Sequence, residues 1–128
     1  MSARKVVDDF IAAWKTMDID KVMGFLSSDC AYHNIPWEPL HGHDAIRNML
    51  KGFMKGVSAI EFVVHKEIEA GEVVMNERTD KFQIKGHWLE LPVMGVFEVR
   101  DGKIAGWRDY FDAAMFEKQM EKVRAAAQ

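Results

Sequence analysis

The stretch Val73-Val74-Met75-Asn76-Glu77-Arg78-Thr79-Asp80-Lys81-Phe82-Gln83-Ile84-Lys85 decides the fold through its alternation. Side chains of an extended strand point to opposite faces with period two. Val74, Asn76, Arg78, Asp80, Phe82 and Ile84 therefore share one face, and Val73, Met75, Glu77, Thr79, Lys81, Gln83 and Lys85 share the other. The second set is the more soluble, so the first faces inward, and it carries a guanidinium and a carboxylate. A lone charge is very costly to bury, so inward charges are paired or have shifted pKa values. Trp107-Arg108-Asp109-Tyr110-Phe111 repeats the pattern, with Asp109 in line with Ala105, Trp107 and Phe111.

Around that strand lie further strand-like stretches, roughly 58–69, 87–100 and 103–111, the quoted one spanning about 72–85. Ala70-Gly71 and Asp101-Gly102 are hairpin turns between them. Leu89, Leu91, Val93, Gly95, Phe97 and Val99 make one apolar face, while Pro92, which cannot donate to a ladder, predicts an edge or a bulge. Upstream, Val6, Val7, Phe10, Ile11 and Trp14 have the spacing of an amphipathic helix over about 3–16. Asp18 is the expected N-cap of a second, short helix that buries Val22, Met23 and Leu26. Cys30, Tyr32 and Asn34 alternate along a short strand stopped by Pro36 and Pro39. A third helix runs from Gly42 to about Lys55, with Ile46, Leu50, Phe53 and Met54 apolar. Asp112 caps a last helix carrying Met115, Phe116, Met120 and Val123. Helices, then a curved antiparallel sheet, then a closing helix give an α+β domain over residues 1–128. A strongly bent sheet wrapped around helices leaves an apolar pocket.

Composition narrows the function. Hydrophobic residues at 48% and charged residues at 29% describe an ordinary globular chain, and a net charge of −3 offers no footprint for nucleic acid. No basic cluster suits a membrane surface, and no apolar run reaches spanning length. The N-terminus is not a signal peptide, and the single Cys30 rules out an internal disulfide, so a reducing, cytoplasmic setting is expected. His41-Gly42-His43 lacks acidic or thiolate company, so neither a metal nor a cofactor is expected. His33 points away from Tyr32 and Asn34, His65 and His87 read as sheet-surface residues, and Cys30 as a buried, inert thiol. Glu61, Glu67, Glu69 and Glu72 read as a solvated face.

Arg78 and Asp80 alone read equally well as a surface ion pair, worth about 0–1 kcal/mol. Asp109 shifts the balance, because its neighbours on that face are Trp107 and Phe111. A carboxylate there needs a partner, and one guanidinium can fork to two carboxylates. Two acids held close favour one proton on the pair, with the cation keeping the other ionised. That is a general acid beside a general base. Tyr32 and Asn34, two apart on one face, are able to grip a water, or are simply a satisfied pair at a strand end.

Three runs carry a resemblance: Tyr32-His33-Asn34-Ile35-Pro36, Asn76-Glu77-Arg78-Thr79-Asp80, and Met94-Gly95-Val96-Phe97 through Asp101-Gly102-Lys103-Ile104 to Trp107-Arg108-Asp109-Tyr110-Phe111-Asp112. Together they resemble the limonene epoxide hydrolase family of the nuclear transport factor 2-like, or SnoaL-like, superfamily. The resemblance implies a cone-shaped, curved, mixed sheet wrapped by N-terminal helices and closed by a C-terminal one around an apolar pocket. It implies that Asp109, with Tyr32 and Asn34, deprotonates a water, that Asp80 protonates the epoxide oxygen, and that Arg78 bridges the acids. The implied product is a vicinal diol, formed from a cyclic terpenoid or other lipophilic epoxide without a covalent intermediate. Implied pocket-wall positions are Phe53, Val57, Phe82, Leu91, Val93, Trp107 and Phe116. Phe53 and Phe82 stand where a limonene-type pocket calls for smaller aliphatic side chains, which points to a flatter or longer epoxide. A homodimer through the sheet is also implied. The rivals are a ketosteroid-isomerase-like or polyketide-cyclase-like enzyme on the same fold, which Arg78 opposes, and a non-catalytic binding or scaffold protein, which leaves the acids without a purpose.

Overall fold

The computed structural model describes residues 2–126. Its six strands, β1 (Leu26–Asn34), β2 (Leu40–His41), β3 (Ala59–Ala70), β4 (Val73–Ile84), β5 (His87–Arg100) and β6 (Lys103–Tyr110), form one sheet ordered β2-β1-β6-β5-β4-β3. β1 and β6 run parallel and the other neighbours antiparallel, so the sheet is mixed. The helices are α1 (Ala3–Ala13), continued by a 3₁₀ turn at Trp14–Thr16, then α2 (Ile19–Met23), α3 (His43–Met54) and α4 (Ala113–Ala126). This is the expected α+β arrangement.

Local chemistry sets the element ends. Ser2, Asp18 and Asp112 side chains accept from the backbone N–H of Lys5, Lys21 and Met115, satisfying donors that open helix termini leave free. Lys85-Gly86 and Asp101-Gly102 both take positive φ at two successive positions, the two-residue turn whose twist suits a hairpin. On β4, Val74, Asn76, Arg78, Asp80, Phe82 and Ile84 are all buried, as the alternation predicts. α1 covers this face, and its Phe10 ring meets Trp107 edge-on at 5.0 Å and Phe97 at 6.1 Å.

Pro92 sits at a local edge. The β5–β6 ladder begins at Met94, so the first half of β5 has only β4 beside it. There α4 takes over: Gln119 donates through Nε2 to the Glu90 carbonyl (2.7 Å) and accepts from the Glu90 N–H (2.9 Å). A side chain thus occupies backbone groups that an open edge would leave exposed.

Two bulges correct the simple alternation. Ala105 is the extra residue where β6 meets β5, so Ile104, not Ala105, is buried beside Trp107 and Asp109. His65 is the extra residue where β3 meets β4. One inserted residue exchanges the faces of everything after it. Glu67 is therefore turned inward, opposite Asn76, with its side chain only 4% exposed. The expectation of a solvated Glu67 fails for that reason.

Candidate active site

Pairing register brings five inward positions into one row across the sheet: Asn34 beside Asp109, then Gly95, Asn76 and Glu67. Arg78, one inward step along β4, leans its guanidinium over the glycine in the middle. A Cβ at Gly95 would lie 2.3 Å from Arg78 Nη1, 3.0 Å from Asp109 Oδ1 and 3.1 Å from Asn76 Oδ1. The missing side chain is the space in which the cation meets its partners.

Arg78 is wholly buried, and its donors are distributed over three acceptors. Nε and Nη2 fork onto the two oxygens of Asp80 at 2.9 and 3.0 Å, Nη2 also reaches Asp109 Oδ2 at 3.1 Å, and Nη1 donates to Asn76 Oδ1 at 2.9 Å. The rings of Phe62 and Phe97 flank the guanidinium carbon at 5.4 and 5.8 Å. Asp109 receives a further bond on Oδ1 from Trp107 Nε1, 3.0 Å away. Trp107 also carries Tyr32, whose ring stacks on it at 3.7 Å, and the Tyr32 hydroxyl donates to Asn34 Oδ1 at 3.1 Å.

Electrostatics follow from this burial. Desolvation lifts the Asp109 carboxyl to about 6, Arg78 pulling it down and Asp80 pushing it up. Desolvation opposes the charge on Arg78, but Asp109 and Asp80 outweigh it and hold the guanidinium firmly protonated. Burial, then the charge of Asp109, raises the Tyr32 phenol above its ordinary value, so it remains an O–H donor. Burial pushes the Cys30 thiol up to about 12, which leaves no nucleophilic thiolate at neutral pH.

Asp80 and Asp109 open into a cavity of about 170 Å³, more than ten times what one water needs. Tyr32, Asn34 and the two acids are its polar lining, and the remainder is apolar or aromatic. Of the expected wall residues, Phe53, Phe82, Leu91, Val93, Trp107 and Phe116 line it. Val57 does not: it is buried in the turn after α3, where its N–H bonds the Met54 carbonyl. Trp14, Trp37, Met49, Leu50, Phe62 and Phe111 complete the wall. Apolar spacing could not separate those six from ordinary core. Trp37, half-exposed, meets Phe111 at 5.3 Å and Phe116 at 5.9 Å, an aromatic cluster from three separate segments.

The histidines lie elsewhere: His33 Nε2 bonds the Trp37 carbonyl oxygen, His43 Nε2 that of Leu26, and His65 Nε2 the Thr79 hydroxyl. No helix among the described residues is long and apolar enough to cross a membrane.

Known proteins resemble this chain at two levels. At the level of fold alone, a protein with a ketosteroid isomerase-like fold from Catenulispora acidiphila DSM 44928 superposes with a TM-score of 0.78 at 19% identity, covering 89% of this chain and 90% of its own. Sequence is shared more closely with epoxide hydrolase EphG of Mycobacterium tuberculosis H37Rv: 36% identity over 106 residues, 83% of this chain and 70% of EphG. The structure of an M. tuberculosis LEH-like epoxide hydrolase matches with a TM-score of 0.82 and 33% identity, covering 97% of this chain and 92% of that one. Residues 1–122 match the limonene-1,2-epoxide hydrolase catalytic domain. With that match, the chain belongs to the limonene-1,2-epoxide hydrolase family, as an epoxide hydrolase of that type.

Proposed function

We propose that the enzyme adds water to a lipophilic epoxide, a cyclic terpenoid or another apolar one, giving a vicinal diol in one step. The observation that carries this reading is an apolar cavity ending in two carboxylates joined by one buried guanidinium. A buried ion triad is weak evidence of stabilisation, so its place at a cavity floor argues for chemistry.

Asn34 and Tyr32 stand beside Asp109 and hold the water. Because Tyr32 donates to Asn34 Oδ1, the Asn34 amide N–H remains to donate to the water oxygen, and the phenol oxygen accepts a hydrogen bond from one water O–H, that proton staying on the water oxygen. Asp109 takes the other proton as the water oxygen bonds to a ring carbon. The bond between that same carbon and the epoxide oxygen breaks on the far side, and Asp80 supplies the proton that the leaving oxygen gains. One proton has passed from water to Asp109 and one from Asp80 to product, so the cycle closes by returning a proton from Asp109 to Asp80. No cofactor, metal or covalent ester is needed. A base with a pKa of about 6 is ionised at neutral pH yet still basic enough to act.

Catalysis in this direction needs the proton on Asp80 when the epoxide binds, with Arg78 forked onto both Asp80 oxygens. Both acids contact the same cation, so the pair titrates as a unit. The register of Asn34 beside Asp109 supports this direction, with the water holder on that side.

Incubation with cyclic and long-chain epoxides is expected to yield vicinal diols. A single turnover in ¹⁸O-labelled water places label in the first diol formed. Label in the protein instead would overturn the one-step mechanism, and isomerisation of a β,γ-unsaturated ketone without diol formation would favour the isomerase reading.

The same reading includes a cytoplasmic homodimer. Ile68, Met75, Met94 and Tyr110 are exposed on the outer face of the sheet at 70%, 45%, 42% and 46%. A second copy would cover that apolar patch. A monomer by light scattering at micromolar concentration would overturn it.

A further inference from the structure

We propose that Asn76 and Glu67 are positioning residues that hold the Arg78 guanidinium between the two acids, a role that rests on the hydrolase reading above. Arg78 Nη1 donates to Asn76 Oδ1 at 2.9 Å, and Asn76 Nδ2 donates to Glu67 Oε2 at 3.2 Å. The orientation of the amide is dictated by its neighbours. A guanidinium only donates and an ionised carboxylate only accepts, so the Asn76 oxygen must face Arg78 and its nitrogen Glu67. Glu67 is anchored from outside by Arg4 Nε at 2.9 Å on its other oxygen. The row from Asp109 through Arg78, Asn76 and Glu67 thus ends on α1.

The neutrality of Asn76 has a chemical consequence. Four groups compete around the cation: Asp80, Asp109, Asn76 and, one step away, Glu67. Were the third acceptor also charged, Arg78 would be shared among three carboxylates and would stabilise the ionised form of each less. Asn76 gives the third edge of the guanidinium a partner without adding an anion. The His65 bulge supplies the other half of the device, since without it Glu67 would face solvent.

The experiment compares four variants in the full-length protein. Asn76→Leu removes the acceptor and is expected to lower kcat by about 10- to 100-fold, the scale of a misplaced catalytic group, with KM within about twofold. Asn76→Asp is expected to move the acidic limb of the kcat/KM profile to higher pH. Glu67→Leu is expected to lose about tenfold in kcat, and Glu67→Gln, whose amide oxygen still accepts from Asn76, recovers most of it. Carboxyl ¹³C NMR titration of the Asp80/Asp109 pair gives a readout that needs no substrate: Asn76→Asp raises its apparent pKa values. If no epoxide turns over in the wild type, the hydrolase reading falls while the titration still tests the network. An unmoved titration and pH limb in Asn76→Asp, or equal losses in Glu67→Leu and Glu67→Gln tracking the melting temperature, would overturn the positioning role.

Discussion

β4 carries charges on both faces, and the two faces put them to different use. Inside, Arg78 forks onto Asp80 and reaches Asp109 with side chains 0–6% exposed. Outside, Lys81 lies directly opposite Glu90 with 3.5 Å between charges and side chains 33% and 59% exposed. The residue types are nearly the same, and β4 supplies the cation of each pair. The pleat alone decides whether water screens the pair. A screened pair contributes about 0–1 kcal/mol. An unscreened one must be fully hydrogen-bonded, and its members shift one another's protonation. The proposed chemistry therefore draws on the inner pair.

The strongest way to test that contrast is to neutralise an inner acid. Asp109→Asn and Asp80→Asn are each expected to lower kcat by about 10²–10⁴-fold while the protein still folds. Near-normal turnover in either would remove the acid/base assignment. Removing the cation strikes stability instead. Arg78→Met leaves two buried carboxylates without their counter-ion and is expected to cost about 3–5 kcal/mol in urea unfolding. A loss below about 1 kcal/mol would mean that the inner pair behaves like a surface one.

Gly95 tests the same site by volume. Gly95→Ala puts a methyl group where Arg78 Nη1 lies 2.3 Å away, and that nitrogen is locked by Asn76. Overpacking is expected to cost about 1–3 kcal/mol, and the displaced cation about 10²-fold in rate. Gly106 offers the control. A Cβ there would meet Glu98 Oε2 at 2.5 Å, but that carboxylate is half-exposed and can swing away. Gly106→Ala is expected to leave activity unchanged by the same assay.

Period-two alternation made the inner face of β4 legible from sequence, charges included, because no bulge interrupts that strand's pairing with β5. The caps at Asp18 and Asp112 were equally legible, being local. Glu67 was not. Its inward turn depends on an extra residue at His65, and a bulge leaves no mark in the polarity of Val64-His65-Lys66. Asn76 could be assigned to the inner face but not to a role, because its partner was hidden by that bulge. The Trp107 indole read as wall, and only the fold shows its N–H directed at Asp109.

A smaller effect is expected from pH, and its sign separates function from stability. Burial raises Asp109 to about 6 from an ordinary value near 3.8, so the folded state binds that proton more tightly than the unfolded one. Its contribution to stability is fully present below about pH 4 and lost as pH rises through about 6. Under the proposed mechanism activity runs the other way, since Asp109 acts as a base only when ionised: kcat/KM is expected to fall below about pH 6. Urea midpoints of the wild type minus those of Asp109→Asn should decline over this window while the wild-type rate climbs. Parallel trends would contradict a buried base.

The smallest effect belongs to the outer pair. Lys81→Met and Glu90→Gln each remove one charge from a site that water already screens, so unfolding free energy should change by less than about 1 kcal/mol and turnover not at all. Glu90 needs one distinction. Its backbone, not its carboxylate, is bonded by Gln119, so Glu90→Gln leaves the docking of α4 on β5 intact. Gln119→Leu removes both bonds and uncovers the backbone of β5 beside Pro92, at a cost of about 1–3 kcal/mol. If urea unfolding instead found Glu90→Gln the more damaging of the two, the outer carboxylate would have a role that its exposure does not account for.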